Sequence, residues 1–364
     1  MDYNATAPMR PEAIEAVTAA LALDGNPSSV HRFGRLARRA IEDARDEVAA
    51  LIGARSETVI FTSGGTEANA TALRGSGRGR VIASATEHDS VLRNTDADLI
   101  PVDRDGIIDL AALERLLAEN TAPALVAVML ANNETGVIQP VAAAAEIAHR
   151  FGALMFCDAV QAAGKIEIDV GGLGVDLLSL SAHKLGGPKG VGALYVAPHI
   201  ALAPSLRGGG QERKMRAGTE NVAGIAGFGA AAKAARQQMN GFARLAELRD
   251  ALESQLLPDA VIFGANAPRL PNTSCIAMPE VSSETQVIAF DLAGLAVSAG
   301  AACSSGKVEP SRVLLAMGAG NAVADSAIRV SLGWTNGEED IDRFIEAWGR
   351  LRAARRAFVS APAA

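Results

Sequence analysis

The sequence predicts an α/β protein with a large domain built on a mostly parallel, doubly wound sheet and a smaller α+β domain beside it. Three observations carry this. Between about residues 57 and 200, short apolar β-type runs alternate with helical patterns, the mark of strand–helix–strand units that lie parallel. At 364 residues, the chain exceeds what one minimal domain needs. A long helical pattern over 222–257 then leads into a second β-containing segment. The large domain is therefore expected over about 12–240, and the small one over 1–11 together with 241–364.

In chain order, Leu36, Ala40, Ile41, Ala44, Val48, Leu51 and Ile52 recur at helical spacing and predict one amphipathic helix. Val59–Thr62, Val81–Ser84, Ala124–Leu130, Leu154–Asp158, Leu177–Leu180 and Val191–Val196 read as strands. Leu110–Asn120 and Val141–Phe151 read as helices between them. Ligands of such sheets sit beyond the carboxyl ends of the strands, so the chemistry is sought there.

Composition narrows the function classes. Hydrophobic residues make up 49% and charged ones 21%, an ordinary globular balance. The net charge is −7 and only 4% of residues are aromatic. An acidic chain with few stacking platforms is a poor nucleic-acid binder. No apolar run is long enough to span a bilayer, and residues 1–20 lack a signal-peptide pattern. A cytoplasmic protein without membrane contact is the expectation. The three cysteines, Cys157, Cys275 and Cys303, suit neither a disulfide framework nor a zinc site, and no metal is expected.

Four motifs carry chemistry. Ser181-Ala-His183-Lys184-Leu-Gly-Gly follows a strand directly. A lysine there is either a solvated loop residue or a Schiff-base amine, with Ser181 and His183 as phosphate donors. Met155-Phe-Cys-Asp158 is an apolar strand ending in an acid. That acid either caps a turn or pairs with a protonated pyridine nitrogen. Asp158 and Lys184 stand 26 residues apart, each at a strand end, as successive parallel strands would place them. Gly64-Gly65-Thr66-Glu67 turns a strand into a helix, which makes either an anion cradle or a plain chain reversal. His88, in Thr86-Glu-His88, stands just past the strand Val81–Ser84.

Together these elements describe a pyridoxal-phosphate site. Their order resembles that of the class V aminotransferase group of fold type I, and within it the cysteine desulfurases of the nitrogen-fixation and iron–sulfur-assembly type. The resemblance runs from Asp2-Tyr-Asn-Ala-Thr to about Phe344. It includes Asn132-Asn133-Glu134, Asp158-Ala-Val-Gln161, Arg207-Gly-Gly-Gly-Gln-Glu, Arg216-Ala-Gly-Thr219 and Ala299-Gly-Ala-Ala-Cys303-Ser-Ser-Gly.

The resemblance implies pyridoxal 5'-phosphate on Lys184, with Asp158 at the ring nitrogen, Gln161 at the phenolic oxygen and His88 stacked on the ring. Gly65, Thr66, Ser181 and His183 would hold the phosphate, with Thr219 reaching in from the second copy of a homodimer. Asn133 and Arg329 would bind the substrate carboxylate, a task suited to a guanidinium fork. Gly65 stands where many relatives carry alanine.

The cysteines then separate. Cys157 and Cys275 lie in apolar strand patterns and read as core thiols. Cys303 sits among Gly, Ala and Ser, where the family carries its nucleophile. The implied reaction takes sulfur from L-cysteine, giving L-alanine and a Cys303 persulfide that passes to an acceptor protein, either an iron–sulfur scaffold or a thiolation relay. Lys184 would move the α-proton, and His88 is a further catalytic candidate. A selenocysteine lyase on the same scaffold, a transaminase and a non-catalytic sulfur-relay subunit are the competing readings. Intact Lys184, Asp158 and Cys303 weigh against the relay subunit.

Overall fold

The computed structural model describes residues 1–300 and 310–360, so Cys303 lies outside the described residues. The first sheet holds strands β1 (Val59–Thr62), β2 (Arg80–Ser84), β3 (Asp98–Ile100), β4 (Ala124–Ala127), β5 (Leu154–Asp158), β6 (Leu177–Ser181) and β7 (Gly192–Val196). Their order is β1-β7-β6-β5-β4-β2-β3. Strands β3, β2, β4, β5 and β6 run parallel, whereas β7 is antiparallel to both its neighbours. Every residue of β5 and β6 is buried. Strands apolar on both faces need helices on both sides. On one side the helices Arg32–Leu51 and Val222–Gln237 pack down, with Phe228 edge-on to Phe61 at 6.3 Å. On the other, Ala68, Ala72 and Leu73 of the helix Gly65–Gly75 share a core with Phe156.

The second sheet is antiparallel throughout: β8 (Val261–Phe263), β9 (Thr273–Ala277), β10 (Ser298–Ala299) and β11 (Ala327–Ser331), in the order β10-β11-β9-β8. It has its own core, where Phe290 stacks on Phe344 at 4.4 Å beside Trp348. Cys157 in β5 and Cys275 in β9 are fully buried. The N-terminal strip joins the two sheets. The Tyr3 amide donates to the Ser331 carbonyl at 3.1 Å, and the Ala7 amide donates to the His183 carbonyl at 2.9 Å.

Four details differ from the sequence expectation. Leu36 is 42% exposed, because the buried stripe of its helix runs Ala37, Ile41, Ala44, Val48 and Leu51. One residue out of phase is about 100° round the helix. The pattern over 222–257 is three helices, Val222–Gln237, Met239–Ala243 and Leu245–Leu256. The breaks fall at Gln238 and Arg244, where the chain passes from the core around Phe228 to that around Phe242 and Leu245. Strand β4 ends at Ala127 rather than Leu130, where its pairing with β2 stops. Strand β3 carried no signal, since only Ile100 of its three residues is buried.

Candidate active site

The carboxyl ends of β2, β4, β5 and β6 open into one cavity of about 590 Å³. Its walls include Gly65, Thr66, His88, Asn133, Asp158, Gln161, Ser181, His183, Lys184 and Arg329. A neighbouring cavity of about 680 Å³ shares Gly65, Thr66, Ser181 and His183 with it and extends to Ser63 and Lys189. Thr219 is exposed and lines neither cavity.

Asp158 ends β5 beside Ser179 of β6, five residues before Lys184. Its Oδ1 accepts from the Val160 amide at 2.9 Å, and its Oδ2 accepts from Asn69 Nδ2 at 2.8 Å. Asn69 Nδ2 also donates to Ser90 Oγ at 2.8 Å, and Ser90 Oγ lies 2.7 Å from His88 Nδ1. The Ser90 amide donates to the same Nδ1 at 3.1 Å. A neutral His88 therefore keeps its proton on Nε2. One polar chain thus links the acid of β5 to the histidine beyond β2.

Lys184 lies in the short 3₁₀ turn after β6. Its Nζ donates to the carbonyls of Asn4 at 2.6 Å and Ala5 at 2.8 Å. Burial, reinforced by the positive charge of Arg329, brings its pKa down to about 8. An amine so placed is a usable nucleophile and base near neutrality. Burial, with Lys184 and Lys189 nearby, also brings His183 down to about 4, so its ring is neutral at pH 7.

The helix Gly65–Gly75 starts against this cavity, and its first turn has backbone N–H groups without intrahelical partners. A side chain at Gly65 would bring its Cβ to 2.8 Å from Val160 Cγ2, so an alanine here needs Val160 to shift. Arg329, from β11, donates to the Asn133 carbonyl at 3.0 Å and to Asp2 Oδ1 at 2.8 Å. Its buried Nε has no partner among the described residues.

Several groups at the site escaped sequence reasoning. Asn69 had one usable signal, a polar side chain on a helix face otherwise built from Ala68, Thr71 and Ala72. Ser90, Asn4 and Asp2 had none, because their roles depend on contacts between distant segments. Glu87 accepts from the Met129 amide at 2.6 Å, while its buried Oε2 lacks a partner among the described residues. Burial, and then the charge of Asp158, pushes Glu87 well above the usual carboxylate range.

Glu134 lines the same cavity and accepts from Ser311 Oγ at 2.5 Å. Burial raises its pKa from 4.5 to about 7, against the opposing effects of Ser311 and Arg329. A carboxyl that holds its proton more tightly when folded loses stabilisation as pH rises from about 4.5 to about 7. Glu134→Gln keeps an oxygen for Ser311 and carries no charge. Its Tm relative to the unchanged protein is expected to climb through that window and then level, as thermal unfolding across pH would show. A flat difference would contradict the assignment.

The profile of the family "Aminotransferase class-V" matches residues 1–344. The chain is 46% identical to a cysteine desulfurase of Cereibacter sphaeroides, over 95% of this chain and 93% of that protein. It is 42% identical to the cysteine desulfurase IscS of Dictyoglomus turgidum, over 96% and 93%. Among solved structures, a NifS-like protein from Rickettsia africae superposes with a TM-score of 0.91 at 36% identity, over 97% of this chain and 98% of that one.

Proposed function

Because the chain belongs to the aminotransferase class-V family and is a cysteine desulfurase within it, we propose that Lys184, Asp158, His88 and Cys303 carry the reaction. The observation that supports this most is the Lys184 amine, near-neutral in pKa, facing the same cavity as the Asp158 carboxylate. The family depends on pyridoxal phosphate, and the residues present fit it. Asp158 suits the ring nitrogen, Gln161 the phenolic oxygen and His88 the ring face. Gly65, Thr66, Ser181 and His183 suit the phosphate, and the helix start supplies further N–H donors. When bound, the group supplies an electron-accepting ring that stabilises negative charge at the substrate's α-carbon.

The protein's own groups do the rest. Asn133 and Arg329 hold the carboxylate of L-cysteine, and Lys184 takes the α-proton. The Cys303 thiolate forms a bond to the substrate sulfur as the carbon–sulfur bond breaks. The products are L-alanine and a persulfide on Cys303. Burial supports the choice of Cys303, because it pushes the thiols of both Cys157 and Cys275 up, away from the reactive thiolate form.

The small domain, 1–11 with 241–364, brings Arg329 and Cys303 to the large domain at 12–240. The chain works as a homodimer in which a second copy supplies Thr219. The exposed Val30 and Phe33, at 88% and 55%, are consistent with a covered face. Sulfur then passes to an acceptor protein, an iron–sulfur scaffold or a thiolation relay, in the cytoplasm. Among the described residues no helix is long and apolar enough to cross a membrane.

The test incubates loaded protein with L-cysteine and a thiol reductant. Equal amounts of sulfide and L-alanine are expected. A keto acid in place of alanine would point to transamination, and markedly faster turnover of selenocysteine would point to a lyase for that substrate. Loading itself should depend on pH. Only the neutral amine attacks an aldehyde, so the rate at which cofactor-free protein takes up pyridoxal phosphate is expected to rise about tenfold per pH unit below 8 and to level above it. A rise continuing toward pH 10 would contradict the lowered Lys184 pKa.

A further inference from the structure

Lys165 is a buried lysine, 4% exposed, that the chemistry above does not use. It does not line the cavity but lies directly behind Gln161, which does. Its Nζ has two amide oxygens as partners, Gln161 Oε1 at 2.8 Å and Asn4 Oδ1 at 2.7 Å. An ammonium has three N–H donors and a neutral amine has two, so these partners match the neutral form. Burial, followed by the charges of Lys184 and Arg329, pushes the Lys165 pKa well down, in agreement with that match.

The other end of the Gln161 amide is also fixed. Its Nε2 donates to the Asn4 carbonyl at 2.9 Å, the oxygen that also receives Lys184 Nζ. Turning the amide over would set N–H against N–H at Lys165 and oxygen against oxygen at Asn4. Asn4 is itself held, by Nδ2 donating to Thr273 Oγ1 at 2.9 Å and by Asn272 Nδ2 donating to its Oδ1 at 3.2 Å. Lys165 and Asn4 therefore grip Gln161 from both ends.

We propose that Lys165 is a positioning residue: by donating to Gln161 Oε1 and Asn4 Oδ1 together, it turns the N–H end of the Gln161 amide toward the phenolic oxygen of the bound cofactor. This rests on the assignment of Gln161 to that oxygen. A donor there stabilises the ionised oxygen, so the bound group gives up its proton at lower pH. Removing Lys165 lets the amide turn its carbonyl to the same oxygen, with the opposite effect.

The experiment is a visible-absorbance titration of the loaded protein from about pH 6 to 10. Lys165→Met removes both donors and is expected to raise the midpoint by about one pH unit, a tenfold change in proton affinity. Lys165→Gln restores an uncharged N–H donor and should return the midpoint to that of the unchanged protein. Gln161→Ala should show the same rise as Lys165→Met, and the double variant no more than either alone. Arg329, Asp2 and Asp158 are the charged groups that act on Lys184, and all three are unaltered in these variants.

An unmoved midpoint in Lys165→Met overturns the proposal. So do shifts that add in the double variant, or a Lys165→Gln midpoint displaced as far as that of Lys165→Met. If Lys165→Met does not fold, Lys165→Gln decides: an unchanged midpoint supports the role and a displaced one overturns it. Failure of the cofactor assignment looks different, because the loaded protein would then show no visible band that depends on Lys184.

Discussion

Lys184→Ala is expected to remove the visible band and to cut sulfide release from L-cysteine by about 10³-fold or more, since nucleophile and proton carrier go together. The geometry makes the loss specific. The Lys184 Nζ is held by two carbonyls of the N-terminal strip. Removing it leaves those carbonyls, the Asp158–Asn69–Ser90–His88 chain and the phosphate cradle in place, so the variant should stay folded. It should still bind the cofactor weakly and reversibly, and release it on dialysis. Lys233→Ala, an exposed change on the helix Val222–Gln237, should leave band and rate intact. Measuring absorbance and sulfide side by side separates the outcomes. A Lys184→Ala protein that keeps both would remove the basis of the assigned chemistry.

Cys303→Ser should have an equally large effect with the opposite spectral signature: sulfide and alanine are lost while the band stays. A hydroxyl is a far weaker nucleophile toward sulfur than a thiolate. Cys157→Ala and Cys275→Ala should behave differently. Each opens space in a fully buried site, costing stability of about 1–2 kcal/mol, and leaves turnover per folded molecule nearly unchanged. Mass spectrometry after brief exposure to L-cysteine should find the added sulfur on the Cys303 peptide and on neither of the others. Full activity in Cys303→Ser would show that another group accepts the sulfur.

Much of the site was legible because the central strands advertise their own ends. Leu154 to Cys157 is apolar and Asp158 is not; Leu177 to Leu180 is largely apolar, and His183 and Lys184 follow it. In a sheet covered on both faces, a polar residue marks the point where the strand leaves the core. Local patterning could not show what lies behind those ends. Asn4 meets Lys165 across 161 residues, and Asp2 meets Arg329 across 327. Neither contact leaves a periodic trace. The breaks at Gln238 and Arg244 were equally hidden, because the helical pattern runs on through a stretch where the chain changes cores.

The strip that carries Asn4 and Ala5 has a consequence for how the molecule is made. Asp2 bridges to Ser331, and the Tyr3 amide bonds to the same residue. Residues 2 and 3 therefore have no seat until β11 has been synthesised. The carbonyls of Asn4 and Ala5, next in the strip, are the ones that hold the Lys184 amine. The large sheet, with its cores around Phe156 and Phe228, includes no strand of the second sheet and can form before β11 is made. The reactive lysine gets its final setting only once β11 is in place, so a chain cut before β11 is expected to form the large sheet and lack an assembled active site.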